Sequence, residues 1–286
     1  MERMNWRPLS GIDRAALRAA RGQAHYAVQF LARAARAYIP PQSDDSHTNL
    51  GWAGKLGGFT THRLKGDLRL GLSVADLTLH WLDQEGEPAQ TFPLSGRADD
   101  QARKWLGEKL AAIGLDQGLL DKPSPYKMPE PVPASGPVYD AARNAAALAE
   151  LASWFANADD AIGLVREEMM SRKYNVSPLR CWPHHFDLAA LIALDPAESP
   201  KARSVNAGLS PGDEYYDEPY FYVSPYPYPD PTALPPLPKL GHWHTRDFTA
   251  AISSASQILK AKDPIAETVV ILRGAIEAAI KVLGGR

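Results

Sequence analysis

Between Ser177 and Thr245 the chain carries four of its eight histidines, six of its 11 tyrosines and about half of its 25 prolines, so proton-active side chains and stiff backbone coincide there. Taking Arg180 to Leu194 as one strand, side-chain alternation puts Trp182, His184, Phe186 and Leu188 on one face and Cys181, His185, Asp187 and Ala189 on the other. His185 and Asp187 then share a face. In GHWHT (Gly241 to Thr245) the same rule makes His242 and His244 project together, with Trp243 turned away. Imidazoles at i and i+2 beside a carboxylate suit zinc, manganese or iron. The candidate metal ligands are therefore His185, Asp187, His242 and His244, with His184 the substitute if Pro183 twists the strand by one residue. Without a metal the same groups are candidates for acid–base catalysis: Asp187, His185 and His184, joined by Asp213 and Glu214 beside the Ser210–Pro211–Gly212 turn. The competing reading is structural, with the histidines bonding loop carbonyls that a proline-rich segment cannot satisfy through a ladder.

From Tyr220 to Asp230 every even position but one before the final acid is a tyrosine (Tyr220, Tyr222, Tyr226, Tyr228, with Ser224 between), while Pro225, Pro227 and Pro229 occupy odd positions. Extended backbone places the phenols on one side. Alternate prolines delete N–H donors toward one edge only, which predicts a one-sided edge strand or a polyproline rod, with Tyr-Pro bonds open to the cis isomer. Such a face stacks a sugar, a nucleobase or a peptide, or it packs inside with its hydroxyls on carbonyls. Tyr220, Tyr222, Tyr226 and Tyr228, with Arg180 and Trp182, are the candidate substrate contacts, for a small-molecule ligand. Cys181, between Arg180 and Trp182, reads more readily as a buried inert thiol than as a nucleophile.

The elements that must hold these groups follow from periodicity. Leu17, Ala20, Ala24, Val28 and Leu31 recur at helical spacing after Asp13 and before Pro40, predicting a capped amphipathic helix. From Leu68 to Leu94 the period changes to two, predicting two or three antiparallel strands, with His80 on the face opposite its apolar neighbours and in solvent. Asp99 and Asp100 open a helix that Gly114 ends. A long helical region runs from Val138 toward Arg172, with Asn157 to Asp160 a break between two helices. Beyond the histidine stretch, FTAAISSASQILKAKDP and IAETVVILRGAIEAAIKVLGGR predict two terminal helices divided at Asp263 and Pro264. DLTLHWLD and DLAALIALD, acidic-bounded apolar strands in the two halves, hint at duplication.

The expected fold is α+β: antiparallel sheets from two similar halves with helices packed on one face. The halves are residues 1–120 and 138–286, joined by a proline-rich connector at 121–137 that holds Tyr126 and Met128, with one continuous domain as the alternative. A net charge of -2 gives no electrostatic footprint for nucleic acid or an anionic membrane. The single cysteine leaves no internal disulfide and fits a reducing compartment. The first residues lack a signal-peptide pattern and no apolar run is long enough to span a bilayer, so a cytoplasmic protein is expected.

The pairing of SPLRCWPHHFDLA with GLSPGDEYYDEPYFYVSPYPYP resembles an uncharacterised family of bacterial proteins, a domain of unknown function. Its members join an SPxxxxWxxFDLA-like strand to a later acid, glycine turn and tyrosine–proline run. Phe186 and Asp187 match that pattern; the positions of His184 and His185 are small in the family, which sets the paired histidines apart from its shared features. The resemblance implies no activity. Three functions stay open: a hydrolase using Asp187 and nearby histidines beside a tyrosine-lined cleft, a non-catalytic module binding a small molecule or peptide on the tyrosine face, and a purely structural role.

Overall fold

The computed structural model describes all residues except 1–5, 8, 10, 12, 128–138, 197, 198, 200 and 286. Most of the connector containing Met128 lies outside the described residues. The chain forms two compact units that interleave in sequence. A C-terminal unit comprises Met1–Gly11, Ser153–Arg180 and Asp187–Arg286, and an N-terminal unit comprises Ile12–Ala152 and Cys181–Phe186. The described elements make an α+β fold with antiparallel sheets of five and seven strands.

The N-terminal unit begins with α1 (Arg14–Tyr38), capped by Asp13, whose Oδ1 accepts from the Ala15 amide at 3.1 Å. The helix stops at Ile39, where the backbone turns extended ahead of Pro40. Its stripe Leu17, Ala20, Ala24, Val28 and Leu31 is buried, as the spacing predicts. The sheet runs in simple order through β1 (Gly51–Ala53), β2 (Gly58–Thr60), β3 (Arg69–Ser73), β4 (Thr78–Leu82) and β5 (Pro88–Pro93). Both faces of β4 are buried, which corrects the expectation that His80 is in solvent. His80 pairs with Gly71, whose missing side chain leaves it space, and its Nε2 meets the Ser73 hydroxyl at 2.8 Å. Helix α2 (Asp99–Ala112) follows and ends before Gly114, which takes φ +74°.

The next helix, α3 (Ala145–Ser171), runs unbroken through Asn157, where the sequence points to a break. In the C-terminal unit Asn157 is fully buried, and its amide group clamps one backbone residue: Oδ1 accepts from the Arg7 N–H at 2.8 Å and Nδ2 donates to the Arg7 carbonyl at 3.1 Å. A satisfied side-chain amide has no need to cap a helix. Then come β6 (Asn175–Val176), β7 (Arg180–Trp182), β8 (Asp187–Ala193), β9 (Ser204–Ser210), β10 (Tyr220–Tyr226), β11 (His242–His244), β12 (Ala250–Ser254), the single turn α4 (Ala255–Ile258) and α5 (Pro264–Val282). Asp263 caps α5 with Pro264 in its first turn, as expected. The segment before it departs from expectation: Ala250–Ser254 is a strand, buried throughout, because it pairs with β10 on one side and β11 on the other.

The main path of the C-terminal sheet is β11-β12-β10-β9-β8-β6. Paired residues share a face, so the register sorts the side chains. One row runs from Ala189 through Gly208, Tyr222 and Ile252 to His242. Steps of two along each strand add Asp187, Tyr220, Ser224, Tyr226 and His244 to that face. The other face carries Ala190, Ile192 and Ala207, which meet Ile162 and Val165 of α3 and Leu272 and Ile276 of α5 around a small apolar recess. The helices thus close one face, and the tyrosines, histidines and Asp187 occupy the opposite one.

A histidine and tyrosine face on the C-terminal sheet

The tyrosine strand β10 is internal rather than an edge over its first half, since Tyr220 to Val223 pair with both β9 and β12. From Ser224 to Tyr226 only the β9 register continues. Pro225 falls in that half, where a missing donor breaks no second ladder. The Tyr226–Pro227 bond is cis. Burial falls along the phenol row: Tyr220 is 5% exposed and Tyr222 half-buried, whereas Tyr226 and Tyr228 are 56% and 54% exposed.

Tyr222 donates a short hydrogen bond to Asp187 Oδ2, reaching from β10 over β9 to the first residue of β8. That path requires Gly208. A Cβ there would lie 2.7 Å from the Tyr222 hydroxyl and 2.8 Å from the Ala189 Cβ. Tyr220 donates to Asp213 Oδ2 at 2.5 Å, and burial followed by the Asp213 charge pushes its phenol pKa up. The other Asp213 oxygen accepts from the Tyr215 and Tyr216 amides at 2.8 and 3.0 Å. Asp213 therefore organises the loop after β9, where Gly212 takes the positive φ its turn demands. Glu214 stands next to it, exposed.

His242 and His244 do project together, and they converge on a phenol. The Tyr216 hydroxyl lies 3.1 Å from His242 Nε2 and 3.0 Å from His244 Nδ1. His244 is fixed further by its Nε2, 2.7 Å from the Arg246 carbonyl, and by Phe248, stacked on its ring at 4.2 Å. Burial, then the neighbouring His244, lowers the His242 pKa below its ordinary 6.5. Burial, then Asp213, raises that of Tyr216. Trp243 turns away as expected and donates Nε1–H to the Pro235 carbonyl at 2.7 Å.

Comparisons of this chain with protein-family models, with curated proteins and with solved structures find no match.

The shared face expected for His185 and Asp187 does not form. Residues Pro183 to Phe186 make a turn, closed by the His185 and Phe186 amides on the Trp182 carbonyl at 3.0 and 2.7 Å, and Phe186 takes φ +59°. Alternation holds only along continuous strand, so it cannot be carried across that turn. Trp182, His184 and His185 belong to the N-terminal unit. There His184 stacks on Tyr126 at 4.0 Å and lies 4.2 Å from the His185 ring, with Trp182 edge-on at 6.1 Å. Burial, then His185, holds the His184 pKa down at about 4. Tyr126 donates to Asp45, and the Pro183 carbonyl is gripped by His25 Nε2 at 2.9 Å and Gln29 Nε2 at 2.7 Å. Cys181 is buried in the same unit, its backbone bridged to Leu50. Arg180 closes its own segment of the C-terminal unit, half-buried, its pKa lowered by burial and then by Arg166. Among the described residues no three His, Cys, Asp or Glu side chains form a metal-holding group. In the expected metal set Asp187 is bonded by Tyr222 and both His244 nitrogens are engaged.

Sequence reasoning missed Tyr216, the phenol on which the histidines meet. It sits in a loop, where strand parity says nothing. The signal that finds Gly208 is general: a glycine inside a strand marks a close approach.

Proposed function

We propose that the polar face of the C-terminal sheet is an acid–base site and that the protein is an enzyme of the hydrolase type, with His242 as its proton-transferring group. The observation that carries this reading is the convergence of two imidazoles from one strand on the Tyr216 hydroxyl, on the sheet face opposite the helices. An exposed imidazole with a pKa lowered below 6.5 is a free base at neutral pH, the state a general base needs. The reading takes the protein as cytoplasmic; among the described residues no helix is long and apolar enough to cross a membrane.

The test is turnover by the full chain across chromogenic esters, amides, phosphoesters and glycosides, with and without His242→Gln. The expected result is one hydrolysed class, with kcat/KM reduced on the order of 100-fold in the variant. No turnover in any class, or turnover indifferent to His242→Gln, sinks the proposal. The exposure of Tyr226 and Tyr228 beside three alternate prolines favours a second reading, a recognition surface for an extended peptide or planar ligand. Under that reading Tyr226→Ser with Tyr228→Ser abolishes ligand binding in a protein that turns nothing over.

A further inference from the structure

The hydrogen bonds around Tyr216 have a direction, and a single backbone carbonyl sets it. The Arg246 carbonyl oxygen can only accept, so the His244 nitrogen 2.7 Å away, Nε2, carries a proton. When the His244 ring is neutral its lone pair is then on Nδ1, and that atom accepts from the Tyr216 hydroxyl at 3.0 Å. Tyr216 has spent its one proton, so toward His242 Nε2, at 3.1 Å, its oxygen accepts. His242 therefore carries its proton on Nε2. Its remaining nitrogen, Nδ1, has no hydrogen-bond partner among the described residues, and the side chain is exposed.

We infer that Tyr216 and His244 are positioning residues which, through the Arg246 carbonyl, lock His242 in its Nε2–H form and leave Nδ1 as the basic atom of the site. This rests on the acid–base reading above and deepens it by naming the reacting atom and the groups that aim it. When a water adds its oxygen to an electrophilic centre, the proton it loses passes to His242 Nδ1 and returns to the leaving group, so His242 ends as it began. The imidazolium formed in between keeps its Nε2–H bond to Tyr216. That bond strengthens because the phenol is already polarised by its own donation to His244. Phe248 on the His244 ring, and Tyr215 edge-on to it at 5.2 Å, hold the far end of the chain still. Arg246 contributes its carbonyl; its guanidinium lies over the Tyr215 ring at 5.1 Å.

The experiment is long-range proton–nitrogen correlation spectroscopy of the imidazoles in the 15N-labelled full chain at pH 7.5, with His242→Gln and His244→Gln supplying the assignments. Both rings are expected as the Nε2–H tautomer in the wild type. Tyr216→Phe removes both the acceptor for His242 and the donor for His244. It should shift His242 toward a tautomer mixture and lower kcat/KM roughly tenfold with KM little changed. A His242 ring protonated on Nδ1, or one whose tautomer ratio Tyr216→Phe does not move, overturns the inference whatever the enzyme assays show. The expected spectra combined with turnover indifferent to His242→Gln would instead overturn the hydrolase reading and leave the proton order standing.

Discussion

His25 should make the N-terminal unit lose stability as the pH falls below 7. It lies inside α1, 9% exposed, with its ring stacked on Phe186 at 5.2 Å and Nε2–H donated to the Pro183 carbonyl. Protonation would add a second N–H and a charge in that place. Burial is the first cause of its low pKa, and the charges of Arg21, His185 and His184 act the same way, so that it is held from 6.5 down to about 4 against the Pro183 bond, which raises it. The sign follows from proton counting: between those values the unfolded chain binds a proton that the folded one refuses. Stability from this group is complete above 6.5 and is lost as the pH falls toward about 4. At about 1.4 kcal/mol per pH unit the loss approaches ~3 kcal/mol at its limit, and is about 2 kcal/mol between pH 7 and pH 5. His25→Phe keeps a ring on Phe186, and Gln29 still serves the Pro183 carbonyl, so the variant should fold with near wild-type stability at pH 7. Urea unfolding at pH 7, 6 and 5, followed by tryptophan fluorescence and circular dichroism, gives the slope for each protein. Their difference cancels the groups common to both, among them Asp159, whose effect has the opposite sign, and His184, and leaves the slope that belongs to His25. Equal slopes in the two proteins would refute the reasoning.

Two further outcomes follow from packing and charge. Gly208→Ala should cost about 1–3 kcal/mol, since its Cβ collides with the ring that crosses β9. In that background Tyr222→Phe should cost almost nothing more, whereas alone it removes a bond to a carboxylate worth roughly 1.5–3 kcal/mol; additive thermal-unfolding losses would contradict this. Asp159 is held up at about 6 by burial first and Asp160 second, against Arg7, so the ionised form is penalised in the folded state above that value and the penalty disappears below 3.8. Asp159→Asn should therefore stabilise the protein at pH 7 by about 1 kcal/mol, allowing for solvent screening, with the gain fading toward pH 4 in chemical denaturation.

What could be read along the chain was local. Asp13 and Asp263 mark helix starts because a carboxylate beside an apolar stripe has one cheap use, satisfying the first free amides. The period-two run after Leu68 is a set of strands because extended backbone puts residues of one parity on one sheet face. His242 and His244 share a direction for the same reason.

Partners were decided elsewhere. Ala250–Ser254, composed like helix, is a strand because two neighbouring strands offer it ladders, and pairing outweighs weak propensity. Asn157 sits mid-helix because the Arg7 backbone, 150 residues away in sequence, takes both ends of its amide. One turn at Pro183 cancels the parity that joined His185 to Asp187, since period-two reasoning survives only while the backbone stays extended. The sequence alone thus determined where helices start, where strands alternate and which histidines point together. Which hydroxyl they point at depended on a loop tyrosine that only the folded chain brings to them, because strand alternation fixes a direction and says nothing of where a loop residue lands.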